Sequence, residues 1–362
     1  MNYRYAVRDG SLVRYSRQVS WLRLRGFFLA ISCLLLGPLP HVNAVAQKEP
    51  AAALEQPAQA DGSSDFQKRC AAPGVIRCFG FDDDVETSIH VKPPWGETVK
   101  RGTVDTQVKA SGRGSLRFVI PPNTGADTSG NFSLNFADDL TQQFGAGEEF
   151  YVQWRQRFSP EFLDTVYKGA NGWKQVIIGE GDRPGFVANS CTQLEIVVQN
   201  TEQRGFPQMY HSCGGKDGNY EPLQRWNEAL NDIMLQQGDV TCTYRDQKKP
   251  PCFAYVANEW MTFQVHVKIG TWYQNNRVYR HDSIVQLWVA REGKPSKLVI
   301  DFRPKSLQGG YDLANDQPGT AKYGKIWLLP YNTNKSPTQV HPTGYTWYDE
   351  LVISKAKIAD PN

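Results

Sequence analysis

The sequence predicts an all-β fold of two packed antiparallel sheets, and three observations point there. Ten short runs rich in β-branched and aromatic residues follow one another, punctuated by Gly, Pro, Asn and Asp. Almost nothing between them has helical spacing. The chain is 362 residues long and 40% hydrophobic, enough for a large core and incompatible with disorder. The expected strands are Ser115–Ile120, Phe132–Phe136, Glu149–Phe158, Trp173–Ile178 and Gln193–Gln199, then Thr262–Gly270, Ile284–Ala290, Leu298–Phe302, Lys325–Leu329 and Thr346–Ser354.

Ahead of them, residues 1–46 read as a secretory leader. Arg4, Arg8, Arg14, Arg17, Arg23 and Arg25 precede an apolar run, Phe27 to Leu39, shorter than the ~20 residues a spanning helix needs. Ala44-Val45-Ala46 offers small residues for cleavage before Gln47. The leader holds six arginines against Asp9, so the formal charge of +3 falls to about −2 without it. Nothing then argues for nucleic-acid binding. The expectation is a secreted or periplasmic monomer with no stable membrane insertion once the leader is removed.

Residues 47–69, rich in Ala, Gln, Pro and Ser, read as a flexible linker, and 70–358 as a single domain. Loss of the leader removes Cys33 and leaves Cys70, Cys78, Cys191, Cys213, Cys242 and Cys252. An even count in an exported chain suggests disulfides. Fifteen connectivities are open, the simplest joining sequence neighbours: Cys70–Cys78, Cys191–Cys213 and Cys242–Cys252. Within Tyr220–Gly238, Leu223, Trp226, Leu230 and Ile233 recur at helical spacing, so 200–257 reads as a disulfide-stapled, partly helical excursion.

Alternation within strands separates core faces from polar ones. Gln153, Arg155 and Arg157 alternate with Val152, Trp154 and Phe158; Gln193, Glu195 and Gln199 alternate with Leu194, Ile196 and Val198. Thr262, Gln264, His266 and Lys268 alternate with Phe263, Val265, Val267 and Ile269. Repetition over three strands suggests a groove for a polar, anionic polymer, against the plainer reading of a solvated face. Ten Trp and sixteen Tyr add stacking surfaces suited to sugar rings.

The stretch Asn258-Glu259-Trp260-Met261-Thr262-Phe263-Gln264-Val265-His266-Val267-Lys268, followed by Ile284-Val285-Gln286-Leu287-Trp288-Val289, resembles a hairpin of concanavalin A-like jelly rolls, especially the heparin lyase I-like polysaccharide lyases. Tyr345-Thr346-Trp347-Tyr348-Asp349-Glu350-Leu351-Val352-Ile353 is similar to their closing strand. Gln264-Val265-His266 matches the Gln-x-His strand of the alginate-lyase relatives, whose Arg-x-Glu-x-Arg strand is matched in part by Gln153-Trp154-Arg155-Gln156-Arg157. The resemblance implies a jelly-roll sandwich and β-elimination on a uronate polysaccharide, with no cofactor required for catalysis. Such a reaction needs a cation or amide on the carboxylate, a base, and an acid for the leaving oxygen. Arg155, Lys174 and Gln175 are candidates for the first role, His211 or His266 for the second, and Tyr210 or Tyr331 for the third. Gln153, Arg157, Lys174, Gln193, Glu195, Gln264, Lys268 and Tyr331 are candidate sugar contacts.

Two other classes stay open. A glycoside hydrolase needs paired carboxylates, for which Glu180, Asp182 and Glu195 are available. A non-catalytic glycan-binding protein needs only the groove. Separately, Asp82, Asp83 and Asp84 near the first strand and Asp349-Glu350 in the last suggest a structural calcium ion joining the chain ends.

Overall fold

The computed structural model describes residues 62–88, 102–303 and 322–362, apart from 127, 170–171, 185–186, 189, 191–193, 201–204, 212–232, 236–251, 271–273, 276–277 and 280–282. The chain divides into Met1–Glu55 and Gln56–Asn362. The first unit, with the expected leader and its cleavage site, lies outside the described residues.

In chain order the second unit begins with α1 (Gly62–Cys70), β1 (Val75–Phe79), α2 (Asp84–Ser88), β2 (Thr103–Asp105), β3 (Ser115–Ile120) and β4 (Phe132–Asn135). It continues through β5 (Glu149–Phe158), α3 (Pro160–Asp164), β6 (Lys174–Glu180), β7 (Glu195–Asn200), β8 (Pro207–His211) and β9 (Ile233–Leu235). The last elements are β10 (Met261–Lys268), β11 (Gln274–Asn275), β12 (Val278–Tyr279), β13 (Ile284–Ala290), β14 (Lys297–Phe302), β15 (Tyr323–Leu328) and β16 (Gly344–Ser354).

An eight-stranded sheet runs β14-β13-β10-β5-β16-β3-β2, with β1 also paired to β16; a six-stranded sheet runs β4-β15-β6-β7-β8-β9. The last strand organises the larger sheet. β5 lies along one side of β16, while β3 pairs with Gly344–Tyr348 and β1 with Leu351–Ser354 on the other. Between those halves the register slips at Asp349/Val352, and Glu350 takes a φ of 49°. That bulge turns both Asp349 and Glu350 outward and returns Leu351 to the core.

Alternation puts the apolar positions of both sheets into one interior. Phe150, Val152, Trp154 and Phe158 of β5 and Phe263, Val265 and Val267 of β10 meet Val176 and Ile178 of β6, Ile196 and Val198 of β7, and Ile326 and Leu328 of β15. Each fully buried chain of that size contributes roughly 1.5–3 kcal/mol. A polar network crosses this core with its groups paired. Gln156 accepts from Trp154 Nε1 (3.1 Å) and Gln175 Nε2 (2.8 Å) and donates to Thr346 Oγ1 (3.0 Å). The Tyr348 hydroxyl donates to the Gln175 carbonyl at 2.8 Å. The fold is a two-sheet jelly-roll sandwich, and all ten expected strands are present within a few residues of their ends.

Two expectations need correction. The linker does not extend to residue 69: Gly62–Cys70 is helical, and its Arg69 side chain is buried. The helix expected over 220–238 does not reach its end, since Ile233 opens β9, paired to β8; residues 220–232 and 236–238 lie outside the described ones. Of the cysteines, Cys70 is bonded to Cys78 and Cys252 is disulfide-bonded; Cys191, Cys213 and Cys242 lie outside the described residues. Among the described residues no helix is long and apolar enough to cross a membrane.

Candidate active site

The polar residues read as a groove from β5 and β10 occupy the outer face of the eight-stranded sheet, where internal partners take most of them. Gln264 exchanges two hydrogen bonds with the Ile358 backbone, at 3.0 and 2.9 Å. Gln153 donates to the Ala359 carbonyl (3.0 Å) and accepts from Arg69 (2.8 Å). The C-terminal tail and α1 thus lie over this face. Arg155 is 3.6 Å from Glu350 and 3.4 Å from Glu292, and Arg69 also pairs with Glu350. His266 is held between Gln286 (2.9 Å, Nδ1) and Glu149 (2.8 Å, Nε2) and stacks on Tyr151 at 4.2 Å. Arg155 and His266 therefore brace the sheet and do not line a groove with β8, because β8 belongs to the other sheet. Lys268 ends β10 on this same outer side.

Gln175 is also misplaced as a contact for substrate. It is fully buried between the sheets, where its amide binds Gln156 and accepts from the Tyr255 hydroxyl. The register slip between Lys174 and Val176 explains this, for it sends Lys174 and Val176 to opposite faces and leaves Gln175 inside.

The carboxylates expected to bind calcium are committed to loop backbone. Asp349 accepts from the N–H groups of Ala110 (2.7 Å), Ser111 (3.3 Å) and Glu350 (2.7 Å). Asp82 accepts from Arg113 and Gly114, and Asp83 from Val85 (2.9 Å) and Glu86 (3.1 Å). β1 and β16 are neighbours as expected, yet Asp82 and Asp349 grip the 106–114 loop separately. Gly112 has a φ of 60° there, and a Cβ would strike the Asp82 carboxylate. Among the described residues no three His, Cys, Asp or Glu gather as a metal site. Full burial pushes the Asp349 carboxyl well above its ordinary value, with the neighbouring Glu350 charge adding to it.

The outer face of the six-stranded sheet is different in kind. Registers align Trp327, Ile177, Val197 and Tyr210 across β15, β6, β7 and β8, and these pack with Ala188 and Leu329 as a second apolar cluster. Gly179 lets the Trp327 indole cross β6, since a Cβ there would sit 3.1 Å from its ring. The next row is Lys174, Gln199 and Gln208, with Gln199 Nε2 donating to Gln208 Oε1 at 3.1 Å. Lys174 Nζ lies 5.6 Å from the Tyr210 ring and 5.3 Å from the Tyr331 ring. Backbone geometry fixes this group, because Lys174 N–H donates to the Tyr331 carbonyl at 2.7 Å. Three residues named separately from the sequence, Lys174, Tyr210 and Tyr331, are thus brought together. Glu195 is fully buried in the row beyond, opposite Gly179. Gln193 and the side chain of His211 lie outside the described residues.

Two of the three carboxylates considered for hydrolysis, Asp182 and Glu180, are already paired with cations. Asp182 pairs with Lys325 Nζ at 2.8 Å through both oxygens, and Glu180 pairs with Arg183. Burial lowers the Lys325 ammonium from its ordinary value, while Asp182 acts against that shift. The sequence reading missed Gln208 and Trp327. Gln208 sits in β8, a strand without clear alternation, and Trp327 reads as core until it is known that its ring crosses Gly179.

No family model matches the chain, and no curated protein matches it. Its structure is similar to that of an endo-β-1,4-glucuronan lyase from the fungus Trichoderma reesei, with 13% identity and a TM-score of 0.43 over 74% of this chain and 94% of that one. It is similar also to a PL-14 alginate lyase from Aplysia kurodai (11%, TM-score 0.39, 70% and 86%). A third is the binding domain of botulinum neurotoxin serotype C1 (11%, TM-score 0.37, 72% and 44%). Likeness at this level leaves activity to be read from the site itself.

Proposed function

We propose that the protein is an exported polysaccharide lyase acting on a uronate-containing polymer, with its reaction centre at Lys174, Tyr210 and Tyr331. The observation that carries this is the Lys174 ammonium set between two phenol rings, at 5.6 and 5.3 Å, on a face with apolar and amide neighbours. An ammonium beside a uronate carboxylate offsets the charge that builds when the proton on the adjacent carbon leaves. One tyrosine, acting as the phenolate, takes that proton; the electron pair forms the C=C bond, the C–O bond breaks, and the other tyrosine, as the neutral phenol, protonates the leaving oxygen. Gln199 and Gln208 supply amide contacts for hydroxyl groups, and the partly exposed Tyr331 supplies a ring face. The basic leader and the even cysteine count support export.

The test is incubation with a panel of uronate polysaccharides. A lyase generates absorbance from unsaturated uronates, and Lys174→Ala should reduce its rate about 10²–10³-fold with the melting temperature unchanged. New reducing ends without that absorbance would assign hydrolysis, and retention without cleavage would assign binding alone.

A further inference from the structure

Arg157 takes no part in the proposed reaction, since it lies on the outer face of the eight-stranded sheet. In register it stands beside Trp347 of β16, which in turn stands beside Arg117 of β3. Extending the β5–β10 register by one step places Trp260 on its other side. The face therefore carries an alternating row, Arg117–Trp347–Arg157–Trp260, across β3, β16 and β5 to the residue that precedes β10. Trp347 is fixed by its Nε1 donating to Asp105 at 2.9 Å, and the partly exposed Tyr345 stacks on it at 5.8 Å.

The charges around the row are unevenly satisfied. Arg155 has Glu350 and Glu292; Arg291 has Glu259; Arg117 has Asp105 at 3.3 Å. Arg157 is only partly exposed, yet none of the described residues hydrogen-bonds its guanidinium, and its buried Nε has no partner. The Arg117 Nε is orphaned in the same way. Glu292 is the acidic group whose field reaches Arg157, and it is already engaged by Arg155. A desolvated guanidinium without an acceptor recruits an anion, and its planar fork fits a carboxylate. The ring of Tyr345 beside it suits the face of a sugar.

We infer that this row is a second, non-catalytic binding site for a carboxylate-bearing sugar chain, centred on Arg157 with Arg117 and Tyr345 at its edge. It sits on the opposite sheet from Lys174 and does not depend on cleavage.

The test uses full-length Lys174→Ala protein titrated calorimetrically with a uronate hexasaccharide. Adding Arg157→Ala should remove one binding event or weaken it about tenfold to a hundredfold, the range for hydrogen bonds to a charged group. Tyr345→Ala should weaken the same event, and a carboxyl-reduced hexasaccharide should not produce it. Should the alanine variant fail to fold, Arg157→Lys keeps the charge without the fork and should give a partial loss. Identical titrations with and without the Arg157 change, or equal binding of the carboxyl-reduced sugar, would overturn the site. Failure to cleave any polysaccharide would count against the Lys174 reading alone and leave this measurement intact.

Discussion

The two outer faces of the sandwich use similar side chains to different ends. On the eight-stranded sheet, glutamines hold the C-terminal tail, a histidine is braced at both nitrogens, and Arg69 and Arg155 share the buried Glu350. On the six-stranded sheet, a lysine stands over two tyrosine rings beside an amide pair. Residue type alone does not separate structural from chemical roles; the partner that folding supplies does. Arg157 departs from that pattern among the described residues of the first face, and the binding role inferred for it rests on that difference.

The contrast can be broken by experiment. The largest effect should come from Glu350→Gln, which leaves Arg69 and Arg155 buried beside an uncharged amide. Chemical denaturation should show a loss of about 3–5 kcal/mol, the range for breaking a buried pair. A loss confined to KM, with stability intact, would return this face to substrate. His266→Ala should come next, at about 1–3 kcal/mol, because Gln286 and Glu149 each lose a hydrogen bond. Cleavage by that variant should match the parent at a temperature where both are folded; loss of turnover without loss of stability would restore His266 as a base. The smallest effect concerns acid. Burial alone would raise the Asp105 carboxyl, but Trp347 Nε1, the Gln107 and Val108 N–H groups and the Arg117 charge hold it below its ordinary value. The unfolded chain then takes up the proton first as pH falls. This contribution is full above about pH 4 and is lost as pH drops through the folded value. Asp105→Asn should flatten that part of the stability profile, and an unchanged acid slope would remove Asp105 from the account.

Strand positions were legible because stretches such as Glu149–Phe158 and Ile284–Ala290 are rich in β-branched and aromatic residues, and both expected ranges match the strands found. The site was legible only in pieces. Lys174, Tyr210 and Tyr331 lie far apart in sequence, and their meeting depends on the β6–β7–β8 register and the bridge between Trp173 and Asn332. The expected groove drew on strands of both sheets, because alternation identifies a polar face but neither the sheet it belongs to nor what covers it. For Gln153 and Gln264 the cover is the backbone of Ile358 and Ala359, which no side-chain pattern announces. Gln175 was misread for a related reason, since a bulge suspends alternation at one residue. The linker composition likewise concealed α1, whose place is set by Arg69 reaching Glu350 and by the Cys70–Cys78 bond.

The placement of β16 has a consequence for the order of folding. It is an interior strand of the larger sheet, joining β5 to β3 and β1, and it follows all of them in chain order. Until Gly344–Ser354 is available, three strands lack the neighbour that satisfies their backbone on that side. Closing such pairings across about two hundred residues and more is slow compared with local hairpins. The larger sheet is therefore complete only once Gly344–Ser354 has paired with all three strands. Truncation before Gly344 should yield an insoluble product with open strand edges, not a smaller native protein.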